Sequence, residues 1–207
     1  HSPPPQSVVS PTTSLRRRII GNARRSSMAK VDFYTATVAP MMKALGAFSN
    51  ILDKAAAHAA SKATKRRPAS YFEDALLQSR LIFDQFSFLM QVQRVSDNAK
   101  NGIARIAGIE APSFEDNEKT FAELKTRIEK TLAYLRTVKP EQIIGREDAQ
   151  VTLPYYKDKY LTASEYASEY LMPNFYFHLV TAYSILRKNG VDVGKDDYIG
   201  GLPLKNL

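Results

Sequence analysis

From Val38 onward the apolar residues Val38, Met41, Leu45, Phe48, Leu52, Ala55 and Ala59 recur at alternating steps of three and four, which sets them on one face of an α-helix. Pro40 lacks an amide hydrogen and is best tolerated in a first turn, so the regular helix is expected to begin near it, after an irregular stretch over 33–37. Lys65-Arg66-Arg67-Pro68 closes the segment. A second seam runs through Leu77, Leu81, Phe88, Val92, Val95, Ala99, Ile103 and Ile106, within residues 70–107, as one long helix or as a short one followed by a long one. Gly108 supplies its stop. The third helix follows the acids of EDNEK, carries Phe121, Leu124, Ile128, Leu132, Leu135 and Val138 at helical spacing, and ends before Pro140.

Residues 139–162 break this periodicity. Gly145 and Pro154 punctuate them, and QVTLPYY and KYLT are β-prone stretches separated by Lys157-Asp158, which predicts a small hairpin. Thr162 or Ser164 then caps a last helix holding Tyr166, Tyr170, Phe177, Val180, Tyr183 and Leu186, with a kink or restart at Pro173 and a stop at Asn189-Gly190. The tail from Val191 has too many glycines for a helix and is expected to pack across the bundle end. Together these segments predict an all-α four-helix bundle with a β-hairpin inserted between helices three and four.

Composition narrows what such a bundle can do. A chain of 207 residues with 44% hydrophobic and 24% charged content fits one domain with a substantial core, and no apolar run approaches the roughly 20 residues of a membrane-spanning helix. The absence of cysteine removes disulfides, thiolate catalysis and Cys-based zinc sites, and fits a reducing compartment. The net charge of +8 belongs mostly to the first 27 residues, which hold five arginines and no acid and leave 24 basic against 21 acidic groups in the remainder. That Pro-, Ser- and Arg-rich opening cannot bury enough apolar surface to order itself, and is expected to be a disordered extension. It reads equally as a mitochondrial transit peptide ahead of Met28-Ala29 or as foreign upstream sequence, so the cytoplasm is the expected location and the mitochondrion its alternative. The domain proper is expected over 28–207.

Four blocks carry a resemblance: SNILDKAAAHAASK (49–62), QVQRVSDNAKNGIARIAG (91–108), FEDNEKTFAELKTRIEKTLAYLR (114–136) and PNFYFHLVTAYSILRKNGVDVGKDDYIGG (173–201). They resemble an uncharacterised family labelled "helix-turn-helix domain-containing protein type", placed in the DinB/YfiT-like superfamily, over essentially all of residues 28–201. The resemblance implies a bundle interior that often holds a divalent metal on three histidines, one from the second helix and an H-x-x-x-H pair from the fourth. It also implies, for several members, transfer or isomerisation with a low-molecular-weight thiol. Matching ILRKNG (185–190) to the end of that fourth helix puts the pair at Asn174 and His178, so its first histidine is replaced by asparagine.

Helical geometry turns each residue by about 100°, which sets Asp84 roughly 40° and Gln91 roughly 60° from the centre of the second seam, while Gln93 and Asp97 point to the far side. Asp84, Gln91, Asn174 and His178 are therefore the candidate ligands for zinc, nickel, manganese or iron. Without a metal, His178 is either a satisfied core histidine or the base of an Asp84–His178 catalytic dyad. His58, in AAAHAA, has no partner at i+4 and reads as structural; Asn174, after Pro173, reads alternatively as a helix cap. The aromatic run Tyr166, Tyr170, Phe175, Tyr176, Phe177 and Tyr183 suits core or dimer interface better than a ligand pocket. Lys62, Lys65, Arg66 and Arg67 complement a helix C-terminus, and Gly194-Lys195 lacks the remainder of a phosphate-binding loop.

Two functions follow. One is a small-molecule-binding bundle, a degenerate metal-dependent transferase or isomerase, with a cavity between helices two and four. The other is a non-enzymatic homodimeric interaction protein. Residues 28–207 show no basic recognition stripe, so nucleic acid is not an expected partner, and neither is a membrane.

Overall fold

Asp32 starts the first helix: its side chain accepts from the Thr35 amide at 2.8 Å, and Thr35 Oγ1 accepts from the Asp32 amide at 2.9 Å. The computed structural model describes residues 31–206, so the expected extension over 1–27 lies outside the described residues. Helix α1 (Phe33–Ser61) thus encloses Pro40, which corrects the expected start near that proline. The reciprocal cap holds the first turn, and burial of Val38 and Met41 on either side outweighs the one hydrogen bond Pro40 cannot donate.

The second seam divides. Helix α2 (Ala69–Leu77) is followed by a loop over 78–87 and then by α3 (Phe88–Ala107), which Ser87 caps and Gly108 ends in the left-handed region at φ 69°. Leu81 is consequently exposed, although it continues the seam numerically. Lys188 Nζ reaches the Arg80 carbonyl at 2.7 Å and Asn189 Nδ2 the Ser79 hydroxyl at 2.8 Å, which pins this loop to the end of the last helix. Helix α4 (Phe121–Thr137) opens on a capping box between Thr120 and Glu123.

Strands β1 (Gln150–Thr152) and β2 (Tyr160–Thr162) form an antiparallel hairpin in the register Gln150 to Thr162, Val151 to Leu161 and Thr152 to Tyr160. The connection is a loop over 153–159 rather than a tight turn at Lys157-Asp158, with Asp158 at φ 58°. Thr162 caps α5 (Ala163–Glu165), which continues through a π-helical stretch (Tyr166–Leu171) into α6 (Met172–Lys188), where Pro173 occupies the first turn. The wider π turn shifts the phase of everything after it. Within α6 itself, however, repeated steps of three drift off one face: Phe177, nine residues before Leu186, lies about 180° from it, so α6 buries Phe175, His178, Leu179, Ala182, Ile185 and Leu186 while Phe177 and Val180, expected inside, are exposed.

The tail does form a short helix, α7 (Lys195–Ile199), contrary to expectation, because its glycines fall at the two ends: Gly194 before it and Gly200, at φ 69°, after it. Asp197 bonds Lys54 of α1 at 2.7 Å, and Tyr198 packs edge-on against Tyr183 of α6. In the bundle α1 lies against α4 and α3 against both α4 and α6, around one continuous apolar core. The architecture is an all-α four-helix bundle with a small hairpin before its last helix. Among the described residues no helix is long and apolar enough to cross a membrane.

Candidate functional site

Helix α3 turns Arg94, Asn98, Asn101 and Arg105 toward α6 at steps of four, three and four, a polar stripe along one face of a helix that is otherwise largely buried. Opposite it, the π stretch and α6 present Tyr170, Asn174 and His178. Between these walls lies a cavity of about 220 Å³, overhung by Leu153, Pro154 and Tyr155 from the hairpin loop. A π turn is unusual enough to mark a functional position in many helices, and here it sets Tyr170 in the cavity wall and Tyr166 against Arg105, whose Nη1 donates to its hydroxyl at 3.5 Å.

His178 is 9% exposed and Gln91, behind it, 1%. His178 Nδ1 lies 2.6 Å from Gln91 Oε1, and Gln91 Nε2 donates to the Phe86 carbonyl at 3.3 Å. Because that carbonyl can only accept, the amide must turn its NH₂ to Phe86 and its oxygen to the imidazole, so the hydrogen sits on Nδ1 and the Nε2 lone pair is left toward the cavity. Phe86 stacks on the ring at 6.3 Å and Phe177 meets it edge-on at 5.3 Å. Burial, with the Arg94 charge adding to it, pushes the His178 pKa below its ordinary value. The ring is therefore neutral at pH 7, oriented, and basic at one atom.

The side of α3 that the angular argument assigned outward is not solvent-facing. Gln93 is buried and donates to Glu118 at 2.9 Å, and Asp97 receives Arg127 at 2.8 Å, Lys100 at 3.3 Å and Arg94 at 3.5 Å. Arg127 is 2% exposed and also binds Asp116 and Glu118, at 3.0 and 2.9 Å. Burial works against the charge on Glu118, yet the hydrogen bonds from Gln93 and Arg127 outweigh it and lower its pKa. Three cations and three carboxylates thus neutralise one another around this side of α3, with Arg94 and Asp97 also lining the cavity.

Of the candidate residues, the fold joins His178 to Gln91 and places Asn174 in the same cavity, where its Nδ2 donates to Asn98 Oδ1 at 2.9 Å. Asn174 is not a cap, since it lies inside α6. Asp84 is not brought in: it sits exposed in the loop over 78–87, because the helix on which its angle was reckoned does not extend there. An Asp84–His178 dyad is thereby corrected to a Gln91–His178 pair. His58 is half-buried on the last turn of α1, away from this cavity. The Arg94, Asn98, Asn101 and Arg105 stripe escaped the sequence reading, which followed only apolar periodicity; its own three-four spacing was the available signal.

The divalent ion implied by the resemblance does not fit this donor set. Gln91 Oε1 is turned onto Nδ1 and Asp97 is already held by three cations, which leaves beside His178 only Asn174 Oδ1, a neutral amide oxygen whose Nδ2 is bonded to Asn98. His178 Nε2 remains as a lone strong donor, and among the described residues no group of three His, Asp or Glu side chains is placed to hold an ion.

Comparison with known proteins agrees with the fold. The chain is 43% identical to a DinB family member protein from Shewanella denitrificans whose crystal structure superposes with a TM-score of 0.77, covering 84% of this chain and 95% of that one. No curated protein matches. Residues 33–199 match a domain of unknown function, DUF1993, and the helix-turn-helix label has no counterpart in that description.

Proposed function

The chain belongs to the DUF1993 family, as a DinB-like bundle, and we propose that it binds a small molecule between α3 and α6 with His178 Nε2 as hydrogen-bond or proton acceptor. The observation that carries this reading is the locked tautomer: an otherwise costly buried imidazole is held by Gln91 so that its basic nitrogen meets a cavity. The amide orients the ring but gives no negative charge to stabilise an imidazolium, which suits acceptance of a hydrogen bond or brief proton transfer, as in isomerisation. Metal-assisted transfer is not favoured, given the donors.

Long-range proton–nitrogen spectra of imidazole-labelled protein test the tautomer directly. Nδ1 should be protonated and Nε2 free between pH 6.5 and 8; the opposite tautomer would remove the acceptor and the reading with it. Protein purified without chelators and incubated with zinc, nickel, manganese or iron should retain none. Near-stoichiometric metal that His178→Ala abolishes would restore the metal-dependent reading.

A second reading, a homodimer, is favoured by the apolar groups left outside the core: Ile82, Phe83, Phe86, Phe177 and Val180 are all at least 42% exposed, and Phe86 and Phe177 converge on His178. Sedimentation equilibrium should give a dimer that Phe83→Lys with Val180→Lys converts to monomer. A monomeric wild type would leave the patch as part of the cavity rim.

A further inference from the structure

We propose that the α3–α6 cavity selects a small monocarboxylate that carries a hydroxyl beside the carboxylate, an inference that rests on the small-molecule reading above and names its ligand. Its first support is charge. The carboxylates and cations in and beside the cavity pair off, Arg94, Lys100 and Arg127 against Asp97, Asp116 and Glu118, whereas Arg105 has no acidic partner among the described residues and bonds the Tyr166 hydroxyl. One guanidinium in excess suits one negative charge, and Asp97 in the same wall disfavours a dianion such as a phosphate monoester.

The second support is the sorting of donors and acceptors. On α3, Asn98 Oδ1 accepts from Asn174 and Asn101 Oδ1 accepts from Lys100 at 3.0 Å, so both amides keep their NH₂ groups for a ligand. With Arg105 they give the α3 wall three donor groups, while Asp97 in that wall is already held by three cations. On α6 the unspent atoms are Asn174 Oδ1 and His178 Nε2, both acceptors. A ligand joining the Asn101 and Arg105 donors to Asn174 Oδ1 must accept on one side and donate on the other, which a carboxylate with a neighbouring hydroxyl does and a plain carboxylate does not. The third support is size, since about 220 Å³ lies below the range of roughly 300–1,000 Å³ typical of drug-sized ligands and suits a small metabolite.

The test is a titration of the whole chain with lactate, propionate, propane-1,2-diol and inorganic phosphate, read by the side-chain amide resonances of Asn98, Asn101 and Asn174 and the imidazole resonances of His178. Lactate should saturate these signals, with the other three at least tenfold weaker. Arg105→Gln should weaken lactate at least tenfold, and Arg105→Lys less. Because Arg105 is exposed, both variants should keep the wild-type spectrum elsewhere. Equal binding of propionate, tighter binding of phosphate, or indifference to Arg105→Gln would each overturn the inference. So would a complete lack of lactate binding, but if Nδ1 still carries the proton the broader reading of His178 stands; the wrong tautomer with lactate bound would sink that reading and keep this one.

Discussion

Replacing Gln91 by Glu changes one atom group at the closest contact of the cavity and reverses its electrostatics. The wild-type amide oxygen lies 2.6 Å from His178 Nδ1 and carries no net charge. In the variant a carboxylate faces the same nitrogen, with charge centres about 4 Å apart, worth about 4 kcal/mol at an effective dielectric constant of 20. That corresponds to about three pKa units, of which burying the new charge removes a part, leaving a rise of about one to two. A pH titration of the His178 imidazole by NMR measures it. The dependence of stability on pH should flatten as well. In the wild type the folded pKa is depressed, so the unfolded state binds the proton more readily and stability falls as pH drops below about 6.5, toward the folded value. In Gln91→Glu the folded pKa lies above the wild-type value, so the unfolded state's advantage in binding the proton shrinks and less stability is lost below about 6.5. Urea denaturation at pH 5.5 and 7.5 reads both slopes. A His178 pKa that stays put or falls in the variant would refute the contact and the tautomer argued from it.

Other perturbations follow from the same geometry. Arg127→Met takes its one cation from Glu118, which keeps only Gln93, while Asp97 keeps Lys100 and Arg94 and Asp116 keeps Arg94; it should cost about 3 kcal/mol in urea denaturation, and a loss under about 1 kcal/mol would mean the network is solvated. Gly102→Ala puts a methyl 2.1 Å from Leu171 Cδ1, so it should destabilise by about 1–3 kcal/mol despite alanine's better helix propensity, and Leu171→Ala in the same chain should relieve the clash. An unchanged thermal midpoint for Gly102→Ala would show that α3 and the π stretch do not approach so closely. Thr120→Ala removes the α4 cap and should cost about 1 kcal/mol by the same measurement.

The apolar steps of three and four were enough to place α1, α3 and α4, because those helices bury one unbroken face each and Val38, Val92 and Leu124 lie where that face demands. Pro40 misled locally, since its penalty is one hydrogen bond against a helix of 29 residues. Phe177 and Val180 misled for a different reason: unbroken steps of three from Phe177 to Leu186 drift by about 60° each and do not stay on one helical face. At the candidate site, Gln91, Asn174 and His178 were legible from spacing and resemblance, whereas Asp84 was not excluded because loop and helix look alike over 78–87 until packing decides. Arg105 was invisible to a search for metal ligands. Its meaning depends on the absence of a nearby carboxylate among the described residues, which only three-dimensional placement reveals.

The stretch Tyr166–Leu171 also divides the protein into parts that heredity can alter separately. Losing a single codon there would let an ordinary helix close, swinging α5 and the hairpin by about 100° around the axis and drawing them about 1.5 Å toward α6. Tyr170 and the overhanging Leu153–Tyr155 would leave the cavity, yet Asn174 and His178, downstream, would keep their places against α3. One short deletion would thus exchange the roof of the chamber without touching its basic nitrogen, so descendants of such a chain would diverge first in what they admit and only later in how they hold it.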